Sequence, residues 1–123
     1  NDSKSTNAIS SITAVNALFE KYNNLILIAG GMSKKEDYSE FFKLINEKVN
    51  AVVLIGECSN EFSKQITAPH VEVVDSMKKA VSMATSMAQG GAVLLSPGCA
   101  SFDMFSDFNE RGDVFKCFVL EET

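Results

Sequence analysis

The sequence predicts a single α/β domain: an open, doubly wound, mostly parallel sheet with helices on both faces. Three observations carry that expectation. Short apolar runs alternate with amphipathic stretches through all 123 residues. The runs Leu25–Ala29, Ala51–Ile55 and Ala92–Leu95 are apolar on both faces, as strands are when helices cover both sides of a parallel sheet. Each run stops abruptly, at Gly30-Gly31, at Gly56 and at Ser96-Pro97-Gly98, which places tight turns at one edge of the sheet.

In chain order, Ala8, Ile12, Val15, Phe19 and Tyr22 step by four and three, the stripe of an amphipathic helix capped by Thr6 or Asn7. The strand Leu25–Ala29 follows. Tyr38, Phe41, Phe42, Ile45 and Val49 mark a second helix, and Ala51–Ile55 the next strand. A short helix around Ser59–Ile66 leads through Pro69 to a strand at Val71–Val74. Asp75 or Ser76 then caps a helix with Met77, Ala80, Val81, Ala84 and Ala88 on its apolar face, ended by Gly90-Gly91. The strand Ala92–Leu95 comes next, and Val114, Phe115, Phe118 and Val119 mark a closing helix. Parallel strands joined by right-handed crossovers make this a Rossmann-like arrangement. The polar opening Asn1–Thr6 feeds straight into a helix, so a further strand is expected before residue 1.

Composition narrows the function classes. A formal net charge of −5 argues against nucleic acid or an anionic membrane as partner. No apolar run is long enough to span a bilayer. Three widely spaced cysteines and one histidine form no zinc pattern, and their spacing fits a reduced, cytoplasmic setting. Asn1-Asp2-Ser3 and Arg111-Gly112-Asp113 match a glycosylation signal and an adhesion tripeptide, both read as chance.

In open α/β sheets ligands gather beyond the carboxyl ends of the strands. That selects Gly30–Lys35, Gly56–Ser59, Ser96–Ser101 and the opening residues Asn1–Thr6. Free N–H groups there, with Lys4, Lys34 and Lys35, make an anion site for a carboxylate or phosphate. A helix starting after Ser101 is expected to supply part of those N–H groups. Cys99 beside Ser101 has no nearby base, since His70 precedes a strand at the opposite edge; Cys99 is expected to pack beneath its loop. His70, Cys58 and Cys117 read as structural or surface residues. There is no phosphate-binding P-loop sequence.

The same residues carry a resemblance. NDSKSTN at 1–7, LILIAGG followed by Lys34 and Asp37, and LLSPGCASFDMFSDFNERGDVFK at 94–116 resemble the C-terminal domain of the Mur ligases, most of all the branch that adds D-glutamate. The resemblance implies that residues 1–123 are the amino-acid-binding domain of a three-domain, ATP-dependent, ADP-forming amide ligase of peptidoglycan biosynthesis. Such an enzyme phosphorylates the carboxylate of UDP-N-acetylmuramoyl-L-alanine, and D-glutamate attacks the acyl phosphate. It also implies D-glutamate contacts at Thr6, Lys34, Ser101 and Phe108, with Phe102 acting through its backbone and the two phenylalanines walling the pocket. Asp2 is implied to meet the nucleotide's ribose and Lys4 to lie near its phosphates. ATP and Mg²⁺ are expected to be held mainly by the central domain, with no catalytic residue on this chain, which alone should be inactive. The sequence departs from the family at Ser5, Met32, Ser33 and Gly98. Two alternatives stay open: a sister Mur ligase or folylpolyglutamate synthase, and a stand-alone module binding an acidic metabolite.

Overall fold

The computed structural model describes residues 1–33 and 35–122. Its elements run α1 (Ala8–Phe19), β1 (Leu25–Gly30), α2 (Ser39–Lys48), β2 (Ala51–Ile55), α3 (Ser59–Ser63), β3 (His70–Val73), α4 (Met77–Ala88), β4 (Ala92–Leu95) and α5 (Phe108–Glu121). All four strands pair in parallel in the order β3-β2-β1-β4. The chain first builds outward from β1 to β2 and β3, then crosses back to lay β4 on β1's other side. The crevice between β1 and β4 is therefore the topological switch point, where the loops diverge and leave room for a ligand.

Strand residues alternate between two apolar layers. Leu25, Leu27, Ala29, Val52 and Leu54 pack with Val15, Phe41, Ile45 and Phe62, beneath α1, α2 and α3. Ile26, Ile28, Val53, Ile55 and Leu95 pack with Met77, Ala80, Val81, Ala84 and Phe115, beneath α4 and α5. This is why β1 and β2 read as unbroken apolar runs: both of their faces are inside.

Caps decide the helix starts. Asn7, one of the two expected residues, accepts the Ser10 N–H at 2.9 Å. Ser76 caps α4 through the Lys79 N–H, while Asp75 forms an exposed ion pair with Lys79. α1 ends at Phe19, short of Tyr22, and α3 covers only Ser59–Ser63. The larger correction lies after Ser101, where no helix begins. The Ser101 carbonyl accepts from Met104 and Phe105 at 3.2 and 2.9 Å, one isolated turn. The last helix waits for Asp107, which caps it by accepting the Glu110 N–H at 2.8 Å, while Glu110 reaches back to the Ser106 N–H at 3.1 Å. This reciprocal capping fixes Phe108 as the first helical residue.

Candidate functional site

Four segments converge at the carboxyl end of β4. The strand ends as the Ser96 N–H reaches the Ile28 carbonyl, and Pro97 accepts from Gly30. Met32 and Ala100 then bridge antiparallel, exchanging two backbone bonds of 2.9 and 3.1 Å. Gly31 allows that approach. At φ +141°, a Cβ there would lie 2.5 Å from the Ala100 carbonyl oxygen, so a side chain would push the loops apart.

The opening residues close the other side. Asp2 donates its N–H to Leu95, and its carboxylate accepts from the hydroxyls of Ser96, at 2.7 Å, and of Ser5. The Ser96 hydroxyl also meets Ser11 at 2.9 Å, and the Gly98 N–H reaches the Ser5 carbonyl. Glu36, from the loop after β1, accepts the Ala8 N–H at 2.6 Å and so draws that loop against the start of α1.

Arg111 locks the assembly from below. Its side chain is 1% exposed and donates to the Ser3 hydroxyl at 2.8 Å, the Ser3 carbonyl at 2.6 Å and the Cys99 carbonyl at 2.9 Å. The Ser3 hydroxyl passes the chain on to the Phe108 carbonyl at 2.7 Å. Burial lowers the guanidinium's pKa to about 10, so it remains charged at neutral pH. Arg111, Ser96, Ser11 and Ser3 escape sequence reading because each has a partner 85 to 108 residues away. The Asp107–Glu110 capping pair was the local signal that α5 starts late.

Ser101 sits in this frame differently from its neighbours. Its residue is 2% exposed, yet among the described residues nothing hydrogen-bonds its hydroxyl. The one fully sealed side-chain polar atom without a partner among them is Asp103 Oδ1, so the Ser101 oxygen still touches solvent. The backbone N–H groups of Ser101, Phe102 and Asp103 are likewise taken by no described residue. A hydroxyl and three successive N–H groups around one turn are the donor set of an anion site.

The other sequence-predicted residues fall around it. Thr6 is half-buried just before the cap of α1. Phe102 is 67% exposed, leaving its ring outside the core. Phe108 and Lys4 share a hollow of about 210 Å³ with Asn1, Ser3 and Lys116. Lys34 lies outside the described residues. Asp37, next in that loop, accepts the Ser39 hydroxyl and N–H at 2.6 and 2.9 Å, which lowers its pKa. A hollow of about 640 Å³ against the loop after β1 takes in Lys35 but none of Thr6, Ser101, Phe102 and Phe108. It is lined by Glu36, Asp37, Glu57 and Glu61 with Lys35, a charge pattern that repels a dicarboxylate.

Cys99 is fully buried, as expected, 3.7 Å from the Cys58 sulfur. That contact and burial push its thiol pKa up, so it stays protonated and unreactive. Cys117 is exposed, and His70 lies exposed on β3 at the far edge. Among the described residues no three His, Cys, Asp or Glu side chains converge to hold a metal ion. None of their helices is long and apolar enough to cross a membrane.

The family described as "Mur ligase, glutamate ligase domain" matches residues 2–99. Proteins called UDP-N-acetylmuramoylalanine--D-glutamate ligase are similar almost end to end. The one from Legionella pneumophila strain Paris is 44% identical over 97% of this chain and 27% of its own. That from Chlamydia caviae is 43% identical over 97% and 28%, and that from Caldanaerobacter subterraneus 42% over 98% and 28%. The chain thus spans little more than a quarter of the length of these relatives. Ser101, Phe102 and Phe108 lie past the end of the family match, inside the stretch that the individual relatives cover.

Proposed function

Because the chain belongs to the Mur ligase family, as its glutamate ligase domain, we propose that it presents D-glutamate to an acyl phosphate held by the rest of a three-domain enzyme. In the whole reaction ATP phosphorylates the carboxylate of UDP-N-acetylmuramoyl-L-alanine. The D-glutamate amine attacks, phosphate leaves, and an amide bond and ADP result. The names of the relatives support the substrate, and the cytoplasm is where the nucleotide substrates of such a ligase would be met.

The observation that carries the reading is the open donor set at Ser101. Its hydroxyl and the N–H groups of residues 101–103 are held beyond β4 and left without acceptors among the described residues. One carboxylate of D-glutamate accepts these donors, and charge-assisted bonds of that kind are the strong ones. The resemblance assigns Lys34 and Thr6 to the same ligand, and the Glu36 bond draws their two segments together. Phe108 and the backbone of Phe102 complete the wall. Asp2 and Lys4, in the opening segment, face the nucleotide of the ATP-binding domain. The carboxylate of Asp2 is held by Ser5 and Ser96 through Oδ2, and the reading gives its other oxygen to the ribose. Closure of this domain over the nucleotide excludes water from the acyl phosphate.

Full-length enzyme carrying Ser101→Ala or Lys34→Met should lose roughly 30- to 150-fold in kcat/KM for D-glutamate, with little change for ATP. Lys4→Ala should depress kcat more than it raises the D-glutamate KM. D-Glutamine should be a much poorer acceptor than D-glutamate. A wild-type enzyme that preferred a diamino acid or a dipeptide would move the chain to a sister ligase. Turnover of ATP and both substrates by the 123-residue chain alone would overturn the three-domain reading.

A further inference from the structure

We propose that Asp103 is a positioning residue for the acceptor amino acid, tying the turn after β2 to the loop that carries Ser101. This rests on the D-glutamate reading and adds to it a side chain that touches no substrate, acting only through the backbone it holds. The Asp103 Oδ2 accepts the Glu57 N–H at 2.8 Å, across 46 residues of sequence. Gly56, one residue earlier, is pressed into the junction at φ +82°. A Cβ there would lie 2.6 Å from Asp103 Oδ2 and 2.6 Å from the Gly31 Cα. The Cys58 N–H then donates to the Gly31 carbonyl at 3.0 Å. The loops following β2 and β4 therefore meet at one carboxylate, and the loop following β1 is bonded to the β2 turn beside it. Two residues before it stands Ser101, whose carbonyl anchors the turn through Met104 and Phe105.

The choice of an acid here is unfavourable on local grounds. Its Oδ1 is sealed from water without a partner among the described residues, which costs free energy. A negative charge beside an anion site also weakens that site. The bond from Oδ2 is what offsets both, because no other hydrogen bond among the described residues joins residues 101–103 to the β2 turn. Freed from that tie, the turn carrying the three N–H groups would be less ordered, and ligand binding would have to supply that order.

The tie needs an acceptor oxygen but no charge, and this separates it from a direct role. In full-length enzyme Asp103→Ala should raise the D-glutamate KM roughly ten-fold, leaving kcat and the ATP KM within about two-fold. Asp103→Asn keeps an acceptor for Glu57 and should return the D-glutamate KM to within about three-fold of wild type. Hydrogen exchange at the Glu57 amide should quicken in the alanine variant and stay slow in the asparagine variant. An active wild type whose Asp103→Ala form keeps its D-glutamate KM within two-fold overturns this role and leaves the ligase reading standing. If the alanine variant fails to fold, the asparagine variant decides: a ten-fold rise in its D-glutamate KM overturns the proposal, and a normal KM with slow Glu57 exchange upholds it. A wild type that does not use D-glutamate overturns the ligase reading itself, and this role with it.

Discussion

At one edge of the sheet β4 ends in a buried polar network; at the other β3 ends in solvent. Of the seven buried polar side chains in the described residues, six (Ser3, Ser5, Ser11, Ser96, Ser101 and Arg111) gather beyond β4 or against it. Four of these side chains have hydrogen-bond partners from distant segments and Ser5 has one in Asp2, while Ser101 alone has none among the described residues. β3 has no such neighbours: three of its four residues are exposed, and Val73 shows 42% of its surface. Both strands are four residues long and pair on one side only. The difference teaches that an edge strand can hold a candidate site when other segments are folded over its end. Polar groups can then be buried with partners, and one can be left open for a ligand.

Removing the lock beneath β4 should have the largest effect. Arg111→Ala leaves the Ser3 and Cys99 carbonyls without their donor and opens a cavity, so a loss of about 3 kcal/mol or more is expected. For a domain of this size that is a fall in Tm on the order of 10 °C, read by thermal unfolding. Arg111→Lys, with one compact donor group in place of a planar fork, should recover less than half of it.

Ser101→Ala sharpens the contrast within the network. Because no described residue bonds the hydroxyl, its removal should leave Tm within about 2 °C while D-glutamate kcat/KM falls by the 30- to 150-fold given above. A large fall in Tm would make Ser101 a structural residue like its neighbours. Ser96→Ala is the converse case. It removes bonds to Asp2 and Ser11 and should cost about 1–2 kcal/mol of stability.

Asp37 tests the exposed loop after β1. Its carboxylate accepts two bonds from Ser39, so its native pKa lies below the ordinary 3.8. A depressed acid contributes stability above the unfolded value, and that contribution disappears as pH falls from about 3.8 through the lowered native value. Asp37→Ala should therefore unfold slightly earlier than wild type at pH 7, and the two melting curves should converge in strong acid. The smallest effect belongs to the β3 edge, where Val73→Thr should change stability by less than about 0.5 kcal/mol.

The sequence by itself determined the sheet, because a strand buried on both faces must be apolar at every position, and β1 and β2 are. It also located the turns that the structure gathers beyond β1, β2 and β4, since the stops at Gly30, Gly56 and Ser96 fall at the carboxyl ends of those strands. The NDSKSTN and SPGCASF stretches were enough to point to the family. Only the tertiary structure decided how those loops are held. Arg111 reads locally as one more charged helix residue, and it is the folding of residues 1–3 and 99 onto α5 that makes it a buried lock. The N–H groups beyond Ser101 likewise come from an isolated turn rather than a helix, because Asp107 and Glu110 cap α5 seven residues later. Periodicity reports which face of an element is buried. Hydrogen bonds between residues a hundred positions apart leave no periodic trace, because both partners are ordinary polar residues until the fold brings them together.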